Sequence, residues 1–166
     1  MARVFIGIGS NLGDRRAIID MTRESIGRIP KTELVGWSKI YETKPVGPVV
    51  QDDFLNGVAE LDTRLEPTEL WRELAAIERK AGRPPVHQRI KWGPRPLDLD
   101  ILLYDDWVIS LDDLVIPHPM MHERWFVLRP LADLDANAVH PLLEMTVGEL
   151  LVYVEQNAGS ESVQGE

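Results

Sequence analysis

Hydrophobic and polar positions follow two different periods along this chain, and each change of period marks a new element. Short apolar runs and strict alternation predict strands, whereas apolar positions three or four residues apart predict helices. The predicted strands cover residues 4–8, 34–41, 54–61 and 97–104, with one helix after the first strand and another after the third. The order β-α-β-β-α-β predicts an α+β fold of the ferredoxin-like split β-α-β type, with both helices on one face of an antiparallel sheet.

Both predicted helices have recognisable ends. Asp14 is a suitable N-cap for the first helix, which is predicted to run through Arg28. Pro67 suits the first turn of the second helix, which is predicted to stop at Gly82. The face of the first helix that is predicted to be buried consists of Ile18, Met21, Ser25 and Ile29.

The last third of the chain is predicted to add elements to this core. A hairpin or an extension of the sheet edge over residues 107–116 and a short helix over 120–125 are expected next. Thr146 and Glu149 have capping-box spacing, which predicts a final helix through about Val154. Additional C-terminal helices would cover the second face of the sheet and produce a three-layer α/β/α arrangement.

Length and composition indicate one globular domain. The chain has 166 residues, of which 44% are hydrophobic and 27% charged. No apolar run approaches the ~20 residues of a membrane-spanning helix, and no secretory signal is recognisable, so a cytoplasmic location is expected. There is no cysteine, which excludes disulfides and thiolate metal sites. We expect a single domain over residues 1–155 and a disordered polar tail over 156–166.

The charge distribution points to a local anion site. The formal net charge of −9 argues against general nucleic-acid binding, because neutralising phosphates requires clustered cations. Residues 79–97 nevertheless contain no acidic side chain, and this basic segment is predicted to bind an anion rather than to be only a solvated loop. Its cations are Arg79, Lys80, Arg83, Arg89, Lys91 and Arg95.

The predicted strand 97–104 carries the candidate chemistry. Residues two apart in a strand share a face, so Asp98 and Asp100 project together. Neighbouring carboxylates repel each other unless a cation lies between them, and carboxylates plus substrate phosphates are the usual ligands of Mg²⁺. Arg95 can offer a forked contact to phosphate, so the pattern favours a magnesium–phosphate site over two solvated aspartates. The residues predicted to face the core are Leu97, Leu99, Ile101 and Leu103.

The run from Lys91 to Leu102 closely resembles the signature of the 6-hydroxymethyl-7,8-dihydropterin pyrophosphokinase family of folate biosynthesis. Other segments agree with this family in order and spacing, and the resemblance covers roughly residues 3–150. One departure is that residues 82–85 lack the second arginine of the family's Gly-Arg-x-Arg run, which leaves Arg89 and Lys91 as alternatives for its charge. The further matching segments are Ile8 to Asp14, Tyr41 to Pro48 with Phe54 to Asn56, and Pro117 to Phe126.

The resemblance implies that the domain is catalytic and uses ATP as a co-substrate. It would transfer the β,γ-pyrophosphoryl group of ATP to the pterin's hydroxymethyl group, giving AMP and the pterin diphosphate. Two Mg²⁺ ions held by Asp98 and Asp100 would bridge the phosphates. The implied partners are these small molecules, with no nucleic acid and no membrane; a monomer is expected, with other folate enzymes as candidate associates.

The resemblance also assigns roles to individual residues. The implied catalytic residues are Asp98, Asp100, Arg95 and Arg83. The implied ATP contacts are Glu78, Arg83, Lys91, Arg95, Ile101, His118 and Arg124. The implied pterin contacts are Thr43, Lys44, Val46, Phe54, Asn56, Trp92 and Phe126.

Two other functions stay open on the sequence alone. One is a Mg²⁺-dependent kinase or nucleotidyl transferase that acts on a different small alcohol and lacks the pterin pocket. The other is a non-enzymatic, ferredoxin-like module that binds ATP without forming AMP. At the level of residues, the corresponding alternatives are core packing for Phe54 and Phe126 and a structural role for His118.

Overall fold

The structure, a computed structural model, describes residues 1–45, 47–83, 88–89 and 93–158 of the chain. The strands are β1 (Ala2–Ser10), β2 (Thr32–Trp37), β3 (Tyr41–Thr43), β4 (Phe54–Thr63), β5 (Asp98–Tyr104), β6 (Ile109–Ser110), β7 (Val115–Ile116), β8 (Val139–His140) and β9 (Met145–Thr146). The α-helices are α1 (Arg15–Gly27), α2 (Pro67–Lys80), α3 (Trp125–Asp135) and α4 (Val147–Asn157). Within the described residues, no helix combines the length and the apolar character needed to cross a bilayer.

The central sheet has the strand order β2-β4-β1-β5, and β3 continues the β2 edge beside β4. All of these pairings are antiparallel. β1 pairs with β4 along Ala2 to Ser10 and with β5 along Val4 to Gly9, so it lies in the middle of the sheet. This order confirms the ferredoxin-like prediction.

Even-numbered residues of β1 face a layer formed by α1 and α2. Asp14 caps α1 as predicted, because its Oδ1 accepts a hydrogen bond from the Ala17 N–H at 3.1 Å. The apolar residues buried between the sheet and this layer include Val4, Ile6, Ile8, Ile19, Ile26, Leu70, Leu74 and Ile77.

The opposite face of the sheet packs against α3 and α4, which confirms the three-layer prediction. α4 begins with the predicted capping box, in which Thr146 Oγ1 accepts from the Glu149 N–H at 3.1 Å. The residues buried on this side include Phe5, Val58, Leu102, Leu103, Leu128, Leu131, Leu150 and Leu151.

The buried face of α1 differs from the prediction. The helix buries Ile19, Thr22 and Ile26, whereas Met21 is exposed. The face was misassigned because Thr22 is polar by type. Its hydroxyl donates to the Ile18 carbonyl at 2.7 Å, so the side chain can be buried without an unsatisfied donor.

One strand prediction was wrong, and Leu103 is in the core as predicted but on the other face of the sheet. The strand expected over 34–41 is two strands, because Ser38 interrupts the ladder and its Oγ accepts the Val58 N–H at 2.8 Å. Leu103 does not face the α1–α2 core. The β1–β5 register shifts between Phe5 and Ile6, which leaves Leu102 without a partner on β1 and turns Leu103 to the α3–α4 face.

The short helix predicted over 120–125 is replaced by a 3-10 turn, Met121–Glu123, followed directly by α3. Additional C-terminal helices were predicted, but none was placed at Trp125–Asp135. Pro130 lies inside this helix and is buried there, although an interior proline normally argues against a helix.

Candidate active site

A cleft opens on the α3 side of the sheet, over β1, β4 and β5, and glycines form part of its floor. At Gly7 and Gly9 this face of β1 carries no side chain. A Cβ on Gly7 would lie 3.2 Å from Leu102 Cδ2, and one on Gly9 would lie 3.4 Å from Asn56 Oδ1. The two glycines therefore create the space in which a ligand can lie against the sheet.

Asp98 lies at one side of this floor and is held by two arginines. Its Oδ1 accepts from Arg83 Nη1 at 2.6 Å, and its Oδ2 accepts from Arg95 Nη1 at 3.0 Å. Burial raises the pKa of Asp98, but the charges and hydrogen bonds of the two guanidinium groups outweigh it and hold the pKa below its usual value. Asp98 is therefore ionised at neutral pH.

Asp100 faces the same cleft, but no comparable pair of cations neutralises its charge. Among the described residues, no lysine or arginine forms an ion pair with it, and the nearest basic side chain is the neutral ring of His118, whose Nε2 lies 3.9 Å from Asp100 Oδ2. The carboxylate is 38% exposed because it opens onto the cleft, yet protein surrounds its other sides. Burial, then the charges of Asp98 and Glu78, raise the pKa of Asp100 well above its usual value. A cation bound beside it would reverse this effect.

His118 follows β7 and presents a neutral ring to the cleft. Its Nδ1 accepts the Met120 N–H at 3.2 Å, so the ring proton is on Nε2, the nitrogen that faces Asp100. Burial, followed by the charge of Arg124, lowers the pKa of His118 to about 4. His118 is also anchored to β5, because its N–H donates to the Leu102 carbonyl at 3.0 Å.

Glu78 lies behind the wall of the cleft rather than in it. Its Oε2 accepts from the Leu99 N–H and from Arg83 Nη1, both at 2.7 Å. Burial raises the pKa of Glu78, against the opposing effect of Leu99 and Arg83. Glu78 therefore supports Arg83 and β5, and its expected contact with ATP stays a prediction.

The side chain of Ile101 does not reach the cleft. It is buried in the core between the sheet and α1–α2, on the opposite face from Asp98 and Asp100. A contact between ATP and its side chain is therefore ruled out by the geometry, and only its backbone could serve the expected role.

The other side of the cleft combines aromatic and polar side chains. Asn56 Nδ2 donates to Thr43 Oγ1 at 2.5 Å, which fixes the orientation of the amide. The Arg95 guanidinium lies 5.8 Å from the centre of the Phe54 ring. The Arg124 guanidinium lies 5.6 Å from the centre of the Phe126 ring. The residues expected to bind the pterin that line this cleft are Thr43, Lys44, Phe54, Asn56 and Phe126.

Three expected site residues, Val46, Lys91 and Trp92, lie outside the described residues. No functional role was predicted for Gly7, Gly9 or Asn11 from the sequence. A signal for the glycines was present, since glycine occupies alternate positions in an otherwise bulky strand and so leaves one face empty. For Asn11, no local pattern indicated that its partners would come from residues 51–52 and 95.

The donor set at Asp98 and Asp100 fits a hard divalent cation. A carboxylate has about four lone-pair sites, and the two arginines use one on each oxygen of Asp98. Each oxygen therefore keeps a lone pair that can bind a cation. No group of three or more histidine, aspartate or glutamate side chains suited to a metal occurs in the described part of the chain. A metal held here would therefore need phosphate or water oxygens to complete its coordination, as is usual for Mg²⁺.

The fold and the site together define a class of protein: a ferredoxin-like α/β sandwich with a site suited to metal-assisted phosphoryl transfer. Within that class, the chain belongs to the 7,8-dihydro-6-hydroxymethylpterin-pyrophosphokinase family, whose model matches residues 5–136. This match confirms the family resemblance inferred from the sequence motifs.

Relatives of similar length support the assignment. The chain is 46% identical over 132 residues to a Pseudomonas aeruginosa protein named 2-amino-4-hydroxy-6-hydroxymethyldihydropteridine pyrophosphokinase, covering 80% of each chain. It is 39% identical over 149 residues to the protein of the same name from Aquifex aeolicus, covering 90% of each.

Solved structures share the fold at low sequence identity. A crystal structure of HPPK-DHPS in complex with substrates matches 98% of this chain with a TM-score of 0.72 at 15% identity. The chain spans 45% of the length of that solved chain.

Proposed function

We propose that this protein transfers the β,γ-pyrophosphoryl group of ATP to the hydroxymethyl oxygen of 6-hydroxymethyl-7,8-dihydropterin. Membership of the family supports the reaction. The observation that carries the proposal is that Asp98 and Asp100 open onto the same cleft as Phe54, Asn56 and Phe126. One cleft thus offers a metal–phosphate side and a heterocycle side, as a transfer between two bound substrates requires.

In this reaction the pterin alcohol is the nucleophile, so no side chain has to form a covalent intermediate. Its oxygen forms a bond to the β-phosphorus of ATP, and the bond from that phosphorus to the oxygen of the α-phosphate breaks. AMP leaves with the electron pair, and the hydroxyl proton passes to phosphate or solvent. Catalysis therefore depends on position and on neutralising charge.

Asp98 and Asp100 would hold the metal, with two Mg²⁺ ions expected. Bound Mg²⁺ supplies neutralisation of the phosphate charge and polarisation of the transferred group. Asp100 is the carboxylate with most to gain from a cation, since its charge is otherwise opposed by burial and by Asp98. Asp98 would keep its ion pairs with Arg83 and Arg95 and so hold both guanidinium groups at the phosphate side.

The remaining charged groups complete the phosphate side. Arg95 and Arg124 line the cleft and each lies near an aromatic ring, so they can reach the region between the two substrates. His118 is neutral, and its Nε2–H can donate to a phosphate oxygen without adding a charge. None of these groups needs to change protonation state during the transfer.

The heterocycle side fits a flat, polar ring. Phe54 and Phe126 offer aromatic faces, and Asn56 offers an amide whose orientation is fixed by Thr43. The bond from Asn56 Nδ2 to Thr43 leaves the amide oxygen and the second N–H for a ligand. We further propose that the protein acts as a monomer in the cytoplasm.

The test is AMP release from ATP in the presence of Mg²⁺ and 6-hydroxymethyl-7,8-dihydropterin. We expect AMP and the pterin diphosphate in equal amounts, and neither product without the pterin. ATP binding without AMP would instead indicate a nucleotide-sensing module. AMP or ADP formed only with another alcohol would indicate a transferase with a different acceptor.

A further inference from the structure

Tyr41, the first residue of β3, joins the sheet to α3 at two points. Its ring meets the Trp125 ring edge-on, with the ring centroids 5.7 Å apart and the planes at 86°. Its hydroxyl donates a hydrogen bond to Asp133 Oδ2. Burial, then the bond to Asp133, raise the pKa of Tyr41, so the hydroxyl remains a donor at neutral pH. Tyr41 therefore contacts α3 at its first residue and again about two turns later.

The acceptor for Tyr41 is oriented within the helix itself. Trp125, Arg129 and Asp133 are spaced four residues apart and so share one face of α3. Arg129 Nη2 donates to Asp133 Oδ1 at 3.1 Å, which leaves Oδ2 for the Tyr41 hydroxyl. The direction of the bond from Tyr41 is thus fixed relative to the axis of α3.

Tyr41 lies on the same face of the sheet as the residues of the heterocycle side. In the β3–β4 ladder, Tyr41 is opposite Asn56 and Thr43 is opposite Phe54. Residues two apart in a strand, or directly opposite in an antiparallel pair, share a face. Thr43, Phe54 and Asn56 line the cleft, and Tyr41 is their neighbour on that face.

Phe126, the other aromatic residue of the heterocycle side, belongs to α3 and not to the sheet. We call the space between Phe126 and the pair Phe54 and Asn56 the heterocycle slot. Its width depends on where α3 lies over the sheet. Apolar residues of α3 hold the helix on the sheet, but apolar contact is non-directional and tolerates a slide or a rotation. A hydrogen bond such as that from Tyr41 to Asp133 is directional and resists both.

We infer that Tyr41 is a positioning residue that sets the width of the heterocycle slot by fixing α3, and with it Phe126, over the sheet. The inference rests on the proposed function, which supplies the flat ring that lies in the slot. Without the hydroxyl bond, only a fraction of the molecules hold the slot at the width of a flat ring. The apparent affinity for the pterin falls by that fraction, and the discrimination against thicker rings falls with it.

Calorimetric titration with 6-hydroxymethylpterin and with its 5,6,7,8-tetrahydro form compares a flat ring with a puckered, thicker one. Tyr41→Phe keeps the ring against Trp125 and removes only the hydroxyl bond. It should weaken binding of the flat ring about fivefold and reduce the wild-type preference for the flat ring at least about twofold, as expected for one hydrogen bond. Chemical differences between the two ligands cancel when variants are compared.

The same bond can be removed from its other partner. Asp133→Leu removes both carboxylate oxygens and should match Tyr41→Phe. The double variant should bind the pterin no more weakly than the weaker single variant, because both changes remove one bond. Asp133→Asn keeps an oxygen that can accept from Tyr41, so its affinity and preference should stay within about twofold of the wild type.

Thr146→Ala is the matched control, since it removes the N-cap of α4 in the same layer and leaves the bond between β3 and α3 in place. It should keep the wild-type affinity and preference although its stability falls. A Tyr41→Phe protein with the wild-type preference would overturn the inference even if its affinity fell, because that result indicates a structural role alone. If Tyr41→Phe does not fold, Asp133→Leu decides in the same way.

Three other results would also overturn the inference. They are a wild type that binds both rings equally, an Asp133→Asn protein as weak as Asp133→Leu, and a Thr146→Ala protein that loses the preference. A wild type that forms no AMP would refute the proposed function rather than this positioning role.

Discussion

Replacing Asp98 and Asp100 one at a time with asparagine should strongly reduce turnover in both cases but change stability in opposite directions. Asp98→Asn removes the carboxylate that pairs with Arg83 and Arg95 and leaves both guanidinium groups without it. Removing one partner of a buried ion pair costs about 3–5 kcal/mol. Because Asp98 and Arg95 are 21% and 28% exposed, we discount this to about 2 kcal/mol. For a domain of this size, that lowers the melting temperature by about 4–8 °C.

Asp100→Asn removes a charge that the apo fold does not compensate. The pKa of Asp100 is raised in the folded protein by burial and by Asp98, so folding favours its protonated form. The stability that the protonated Asp100 contributes is fully present below the pKa of an aspartate in the unfolded chain, about 3.9. It is lost as the pH rises through the higher pKa of the folded protein. The variant has no such titration, so it should match the wild type near pH 4 and be more stable than it at neutral pH.

Thermal melts in a metal chelator, together with AMP release in Mg²⁺, measure both effects. Each variant should lose at least about a hundredfold in turnover. Asp112→Asn, an exposed aspartate between β6 and β7, is the control and should change neither quantity. A destabilised Asp100→Asn at neutral pH, or an Asp98→Asn protein as stable as the wild type, would refute the assignment of charge in the site.

Three further predictions concern the pterin side of the cleft and the stability of the fold. Phe126→Ala should raise the KM for the pterin while leaving nucleotide affinity unchanged in a binding titration; a loss of nucleotide affinity would contradict its place in the cleft. Thr146→Ala removes the N-cap of α4 and should cost about 1 kcal/mol in denaturant unfolding, without changing kcat. Burial, then His122, lowers the pKa of His140, so stability should fall as the pH drops below about 6.5, and His140→Asn should flatten this dependence; equal slopes would refute it.

Much of the sheet could be predicted because its strands differ clearly in period from the two helices packed on it. α3 could not, since it is supported by tertiary packing rather than by a local pattern: Pro130 is buried inside this helix, and its neighbours Val127, Leu128 and Leu131 belong to the core on that side of the sheet. Thr22 shows the same limit on a smaller scale. A local hydrogen bond makes a polar residue suitable for the core, and no pattern of apolar positions reports that bond.

The candidate site, too, could be predicted from the sequence only in part. Asp98 and Asp100 could be placed together because strand geometry fixes which residues share a face. Their different environments could not be foreseen, since Arg83 lies just after α2 and forms an ion pair with Asp98 but not with Asp100. The repulsion between the two aspartates that was predicted from the sequence would be relieved by removing either one. The structure restricts that expectation to Asp100, because only Asp98 is held by two guanidinium groups.

The register shift in β5 explains how one strand can serve both a polar cleft and an apolar core. Before the shift, Asp98 and Asp100 face the α3 side over Gly7 and Gly9, where no side chain of β1 fills the space. After it, Leu102 and Leu103 both lie on that side and close the core against α3 and α4. Regular alternation would return Leu103 to the α1–α2 face. The extra residue therefore ends the cleft within two positions of Asp100 and provides the apolar wall that limits its hydration.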